Sequence, residues 1–170
     1  PDEQTAAPSH TARHFFRHCL LMAVSFALVE ANLLVVLGLQ TSVNKRLGEI
    51  SSGLLYCTFA AGALPAPAIV TRLTPTRGLT LGLLCFCAYL AVNISPLWGT
   101  LLPGAALAGF GGAFLWASQG SYLTRSANWY ARLSGKNDRA SLGLFNGVFV
   151  SVFEASIVSG LLDVISLRHC

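Results

Sequence analysis

"GLTLGLLCFCAYLAVNISPLWGTLLPGAALAGFGGAFLWASQGSYLT", Gly78 to Thr124, is a run of 47 residues without a single Asp, Glu, Lys or Arg. One helical bilayer crossing takes about 20 apolar residues, so this run is long enough for two crossings with a turn between them. The turn is expected at "NISPLWG" (Asn93 to Gly99), where Asn, Pro and Gly cluster, and Trp98 within it suits a membrane interface. A second uncharged run extends from Ile50 to Thr71. Of the 170 residues, 54% are hydrophobic and 11% charged, against about 25% charged in soluble domains; the mean hydropathy is +0.61. These values exclude an ordinary water-soluble domain and point to an integral, multi-pass membrane protein.

Five apolar segments of helical length follow, at about 19–43, 50–71, 78–94, 98–124 and 142–166. Strands are disfavoured because a membrane barrel shows short alternating stretches rather than long apolar runs. The fold class is therefore all-α: a polytopic transmembrane bundle of about five helices over residues 19–170, preceded by a basic segment at 1–18. Pro65 and Pro67 are expected to kink or fray the end of the second segment. "RSANWYARLSGKNDRA" (Arg125 to Ala140) reads as a polar loop or a surface helix.

Charge then sets the topology. Arg13, Arg17, Arg72, Arg77, Arg125, Arg132, Lys136 and Arg139 fall on the amino-terminal side of the five crossings, and Lys45, Arg46 and Arg168 on the other. The excess of basic residues places the amino terminus in the cytoplasm or its organellar equivalent. The net charge of +4 is a topology signal and not a nucleic-acid patch, because the cations are scattered over several loops. Residues 1–14 carry no apolar stretch of their own and are not expected to act as a secretory signal.

Metal and enzyme chemistry find little support. Cys85-x-Cys87 lacks the second pair that a zinc site needs; Cys19, Cys57, Cys85, Cys87 and Cys170 read as small hydrophobes, four of them buried in apolar segments. His10, His14 and His18 share one helical face and lie beside Arg13 and Arg17, which suits an interfacial basic stretch better than a metal site. "GFGG" (Gly109 to Gly112) follows no strand and is not a dinucleotide fingerprint. There is no nucleophile–base constellation, so no catalytic, cofactor or metal residue is expected. A bound lipid or pigment would leave no mark in such a sequence.

The polar groups within the apolar segments are the candidate sites. A carboxylate at mid-membrane costs a few kcal/mol on insertion scales. Glu30 and Glu154 are therefore expected to face the bundle interior, protonated or hydrogen-bonded, since no Lys or Arg lies near the middle of a segment. A proton-coupled or cation-binding role is the functional reading; packing against Ser and Asn groups is the plain one. Asp163, near the far interface, is expected to be solvated. In the fourth segment Trp116, Gln119 and Tyr122 recur at three-residue steps on one broad side, either as an interfacial belt with Gln119 bridging helices or as a cavity lining. Ala105 with Gly109, and Ala108 with Gly112, have the spacing that lets two helices approach closely, which predicts a face packed inside a bundle.

Three stretches resemble one family. "LGLQTSVNKRLGEISSGLLY" (Leu37 to Tyr56), "ALAGFGGAFLWASQGSYLT" (Ala106 to Thr124) and "GKNDRASLGLFNGVFVSVFEAS" (Gly135 to Ser156) are similar, in order and spacing, to the uncoordinated-93 family of the major facilitator superfamily. The resemblance implies the amino-terminal part of a facilitator-type fold, two six-helix halves of three-helix repeats. It also implies a role in regulating potassium channels, in potassium homeostasis or in receptor trafficking. Gln40, Asn44, Trp116, Gln119, Gly120 and Tyr122 match the family pattern, whereas Glu154 stands where the family usually has Gln. "RLTPTRG" (Arg72 to Gly78) keeps the basic character of the loop between helices two and three but lacks the Asp of drug-type facilitators.

Five crossings cannot complete alternating access, so the chain is expected to be either a piece of a longer protein or a reduced relative packed against other subunits. The reading is a non-catalytic membrane protein, a regulatory or accessory subunit with membrane lipid and other membrane proteins as partners. The alternative is part of a transporter or ion-homeostasis protein. The first expects the Gly/Ala face of the fourth segment to meet another chain. The second expects Gln40, Gln119 and Glu154 to converge on a wet cavity opposite an absent half.

Overall fold

The computed structural model describes residues 7–168, all helices and short connections. The expectations for residues 1–6 and Cys170, and those for the side chains of His10, Asp163 and Arg168, lie outside the described residues. Six helices follow in order: α1 (Ala7–Val43), α2 (Lys45–Ala63), α3 (Ala66–Arg72), α4 (Pro75–Val92), α5 (Trp98–Ser134) and α6 (Asp138–Arg168). Four of them, α1, α4, α5 and α6, are long and apolar enough to cross a membrane, and α2 with α3, bent by 60°, adds a fifth where the pair makes one broken span rather than a re-entrant loop.

The bend has the expected cause. Pro65 and Pro67 cannot donate backbone hydrogen bonds to the preceding turn; α2 stops at Ala63, and α3 restarts at 60° to it with Pro67 in its first turn. The turn at Asn93 to Leu97 is where the sequence put it.

Two ends differ from expectation. The fourth crossing does not stop near residue 124: α5 runs on through "RSANWYARLS" to Ser134. It ends only at Gly135, in the left-handed region (φ 64°, ψ 19°), whose N–H bonds the Ala131 carbonyl. Glycine adopts this conformation without strain, and it is a common helix stop. At 1.5 Å per residue a 37-residue helix is about 55 Å long, far beyond the hydrocarbon core, so α5 leaves the membrane as a continuous rod. Likewise α1 begins at Ala7 and makes the basic segment its first turns.

α5 is the hub and touches each of the other helices. Its buried stripe includes Ala105, Ala108, Gly109 and Gly112, and this stripe packs against α2 and α4 of the same chain. A Cβ added to Gly109 would lie 2.0 Å from Thr58 Oγ1 and 2.3 Å from the Leu55 carbonyl; one added to Gly111 would lie 2.3 Å from Cys85 Cβ. On the opposite side α1 and α6 are held by aromatic rings: Phe26 meets Trp116 edge-on at 4.9 Å, Trp116 meets Phe153 at 5.3 Å, and Phe26 meets Phe149 at 5.4 Å.

Of the cysteines, Cys19 is buried, but Cys57 and Cys87 lie exposed on the outside of the bundle and Cys85 is half-buried. In hydrocarbon a thiol gains nothing from leaving the outer face, so apolar character there does not require burial.

Candidate functional site

Two polar sites sit inside the bundle. The first ties three helix ends together. Gln40, near the end of α1, is buried; its Nε2 donates to Asn93 Oδ1, and its Oε1 accepts the Tyr89 hydroxyl at 3.1 Å. Because the Tyr89 proton goes to Gln40, the Ser51 hydroxyl 3.2 Å away is left to donate to the Tyr89 oxygen. Asn93 Nδ2 donates back to the Tyr89 carbonyl at 2.7 Å. Tyr89 and Ser51 are fully buried. Each of these side chains has at least one partner, so the network is a clamp between α1, α2 and α4.

The second site is Glu30. It lies at mid-length of the membrane part of α1, is 8% exposed, and its Oε1 has no hydrogen-bond partner. It borders a cavity of about 250 Å³ shared with Trp116, Tyr56, Phe59 and Phe86, the rest of the wall being leucine and alanine. Three other buried side-chain oxygens lack partners, those of Ser52, Ser118 and Ser141, but these are neutral hydroxyls. Among the described residues, Glu30 is the one carboxyl so placed. A larger cavity of about 740 Å³ opens between α3 and the far part of α5, beside Arg72 and Arg125; it contains no buried, unpartnered charge.

The remaining expected site residues are dispersed. Asn44 is exposed and caps α2, its Oδ1 accepting the Leu47 N–H at 3.4 Å; it is a helix start and lines no cavity. Trp116 is both ring-packed and cavity-lining. Gln119 is buried on α5 and takes no part in the Gln40 clamp. Tyr122 is half-buried and faces a separate hollow with Phe15 and Trp129; Gly120 is exposed, with no atom within 4 Å of where a Cβ would be. Glu154 is exposed on α6 and does not pack inside the bundle formed by this chain. Phe145, Phe149 and Phe153, four residues apart, form the inward stripe of that helix, and the residue after Phe153 is turned about 100° away. Within this chain Gln40, Gln119 and Glu154 do not meet, and the Gly/Ala face of α5 packs against α2 and α4.

His14 and His18 stand exposed with their Nε2 atoms 3.0 Å apart, and no group of three metal-ligating side chains occurs among the described residues.

Tyr89, Asn93 and Ser51 in the clamp, and Tyr56, Phe59 and Phe86 in the cavity wall, went unrecognised in the sequence. Tyr89 had a signal: a lone phenol within an apolar helix needs a partner in hydrocarbon. The aromatic wall had none, since Phe and Tyr on a membrane helix are unremarkable until two helices bring them together.

Comparison with known proteins completes the picture. A family model described as "Ion channel regulatory protein UNC-93" matches residues 39–160. The chain is 31% identical over 153 residues to UNC93-like protein 3 of Arabidopsis thaliana, covering 90% of this chain and 33% of that protein. It is 30% identical over 147 residues to Protein unc-93 homolog A of Xenopus laevis, covering 85% and 32%. It is 24% identical over 149 residues to the putative potassium channel regulatory protein unc-93 of Caenorhabditis elegans, covering 87% and 21%. The chain thus spans about a third of the length of the first two relatives. No solved structure matches it significantly. A multi-span helical bundle that matches the family model over residues 39–160, from the end of α1 into α6, belongs to the UNC-93 family.

Proposed function

We propose that the chain is part of a non-catalytic membrane protein that regulates an ion channel by associating with it, with its amino terminus on the cytoplasmic side. The observation that carries this reading is the family match over residues 39–160, described as ion channel regulatory. The Gln40 clamp supports it, because the polar side chains at the ends of α1, α2 and α4 bond one another and make a stiff unit. Phe15 stacks on Trp129 at 6.5 Å, which brings Arg13 and Arg17 to the same end of the bundle as Arg125 and Arg132, in keeping with a cytoplasmic amino terminus.

The test is electrophysiological. The full-length protein co-expressed with a potassium channel is expected to change whole-cell current density, while the same protein purified into proteoliposomes moves no rubidium tracer. Rubidium flux through the pure protein would replace this reading with the transporter one. A cysteine-labelling scan from either side of the membrane checks the orientation: a thiol placed at Asn137 should react only from the cytoplasmic side.

A further inference from the structure

We propose that the cavity beside Glu30 is a binding site for a small organic cation, an alkylammonium or quaternary ammonium ion. Three observations on separate helices carry it. The Glu30 carboxyl on α1 is more than nine-tenths buried, with Oε1 lacking any partner. The cavity wall adds Tyr56 and Phe59 from α2, Phe86 from α4 and Trp116 from α5. No Lys or Arg borders it.

The chemistry follows from these facts. A carboxylate in hydrocarbon with one oxygen unpartnered and no cation beside it is costly, and a cation in contact with that oxygen reduces the cost. Aromatic faces carry negative quadrupole potential and attract cations within about 6 Å of the ring centre, tryptophan most strongly. An anion would meet the carboxylate, and a neutral apolar ligand would leave Glu30 Oε1 without a partner. A bare alkali ion would need several oxygen ligands, and the wall supplies the Glu30 carboxyl and little else. An ammonium with methyl or methylene groups satisfies both the carboxylate and the rings. At about 250 Å³ the space is below the roughly 300–1,000 Å³ of drug-sized sites, which restricts the ligand to a few heavy atoms around nitrogen. The inference is independent of the regulatory reading: a regulator and a transporter alike could carry such a site.

The experiment uses the full-length protein in lipid nanodiscs, with choline and tetramethylammonium as probes and calorimetric titration as the readout. Saturable binding is expected. The uncharged isostere 3,3-dimethylbutan-1-ol should bind much more weakly than choline, and potassium at equal concentration should not displace choline. Glu30→Gln is expected to weaken choline binding at least about thirtyfold, as loss of one partner of a buried charged contact does. Trp116→Leu should weaken it about two- to tenfold. Each variant is first required to elute as a single species; if Glu30→Gln does not fold, Phe59→Leu and Phe86→Leu test the wall separately. Absence of saturable choline binding, equal binding of the isostere, displacement by potassium, or unchanged affinity in Glu30→Gln or in the wall variants would each overturn the proposal.

Discussion

α5 is packed by opposite means on its two sides. Toward α2 and α4 it presents glycines, and the backbones come so close that a Cβ at Gly82 would lie 2.7 Å from the Gly111 carbonyl. Toward α1 and α6 it presents Trp116 within a cluster of Phe26, Phe149 and Phe153, whose ring centres are about 5–6 Å apart. In a membrane there is no hydrophobic force between helices, so association rests on close contact and hydrogen bonds. The glycine seam achieves contact by backbone proximity and tolerates no added atom. The ring seam achieves it with large side chains that can re-pack. The Glu30 cavity lies where the two seams meet, bounded by Ala108, Phe59 and Phe86 from the first and by Trp116 from the second.

The largest effect should come from putting one methyl group into the glycine seam. Gly109→Ala meets Thr58 Oγ1 and a backbone carbonyl and is expected to cost about 3 kcal/mol, the upper end for overpacking. Gly120→Ala, on the same helix with nothing within 4 Å, should gain up to about 1 kcal/mol from helix propensity. Thermal unfolding of the full-length protein in detergent reads both; equal effects at the two positions would mean that the seam is not as tight as described.

Next comes the ring seam. Phe149→Ala should cost about 2 kcal/mol, less than the roughly 3–5 kcal/mol of soluble cores, because the separated helices remain in lipid and only packing is lost. A melting-temperature drop as large as that of Gly109→Ala would erase the contrast between a rigid and an adaptable side.

Smaller still is the clamp. Gln40→Leu removes bonds to Asn93 and Tyr89 and is expected to cost about 1 kcal/mol. Faster hydrogen exchange at residues 89–93 should accompany the loss, and unchanged exchange there would show that the glycine seam alone fixes the end of α4. The smallest effect belongs to Asn44→Ala. Its cap bond to Leu47 is 3.4 Å long, so about 0.5 kcal/mol is expected; a loss above about 2 kcal/mol would assign Asn44 a role beyond capping.

How legible these regions were depends on the kind of signal each needs. The glycine seam was visible, because Ala105, Ala108, Gly109 and Gly112 repeat at a spacing that only close helix packing explains. Glu30 was singled out because a carboxylate in hydrocarbon demands an account. Glu154 drew the same argument and is exposed in this chain; the Phe145, Phe149 and Phe153 stripe beside it marks the side of α6 that packs on α1 and α5. Asn44 drew attention for matching a family pattern, yet its position directly after Val43 and before α2 fits a cap equally well.

The sequence by itself determined the solvent, the helical class, the approximate number of crossings and the bend at Pro65, because each follows from composition or from what one residue does to its own backbone. Which polar groups meet was decided only in three dimensions. Gln40 and Tyr89 are 49 positions apart, and the cavity wall draws on α1, α2, α4 and α5. The rotation of each helix about its axis is set by the packing of its neighbours, and no single helix encodes it.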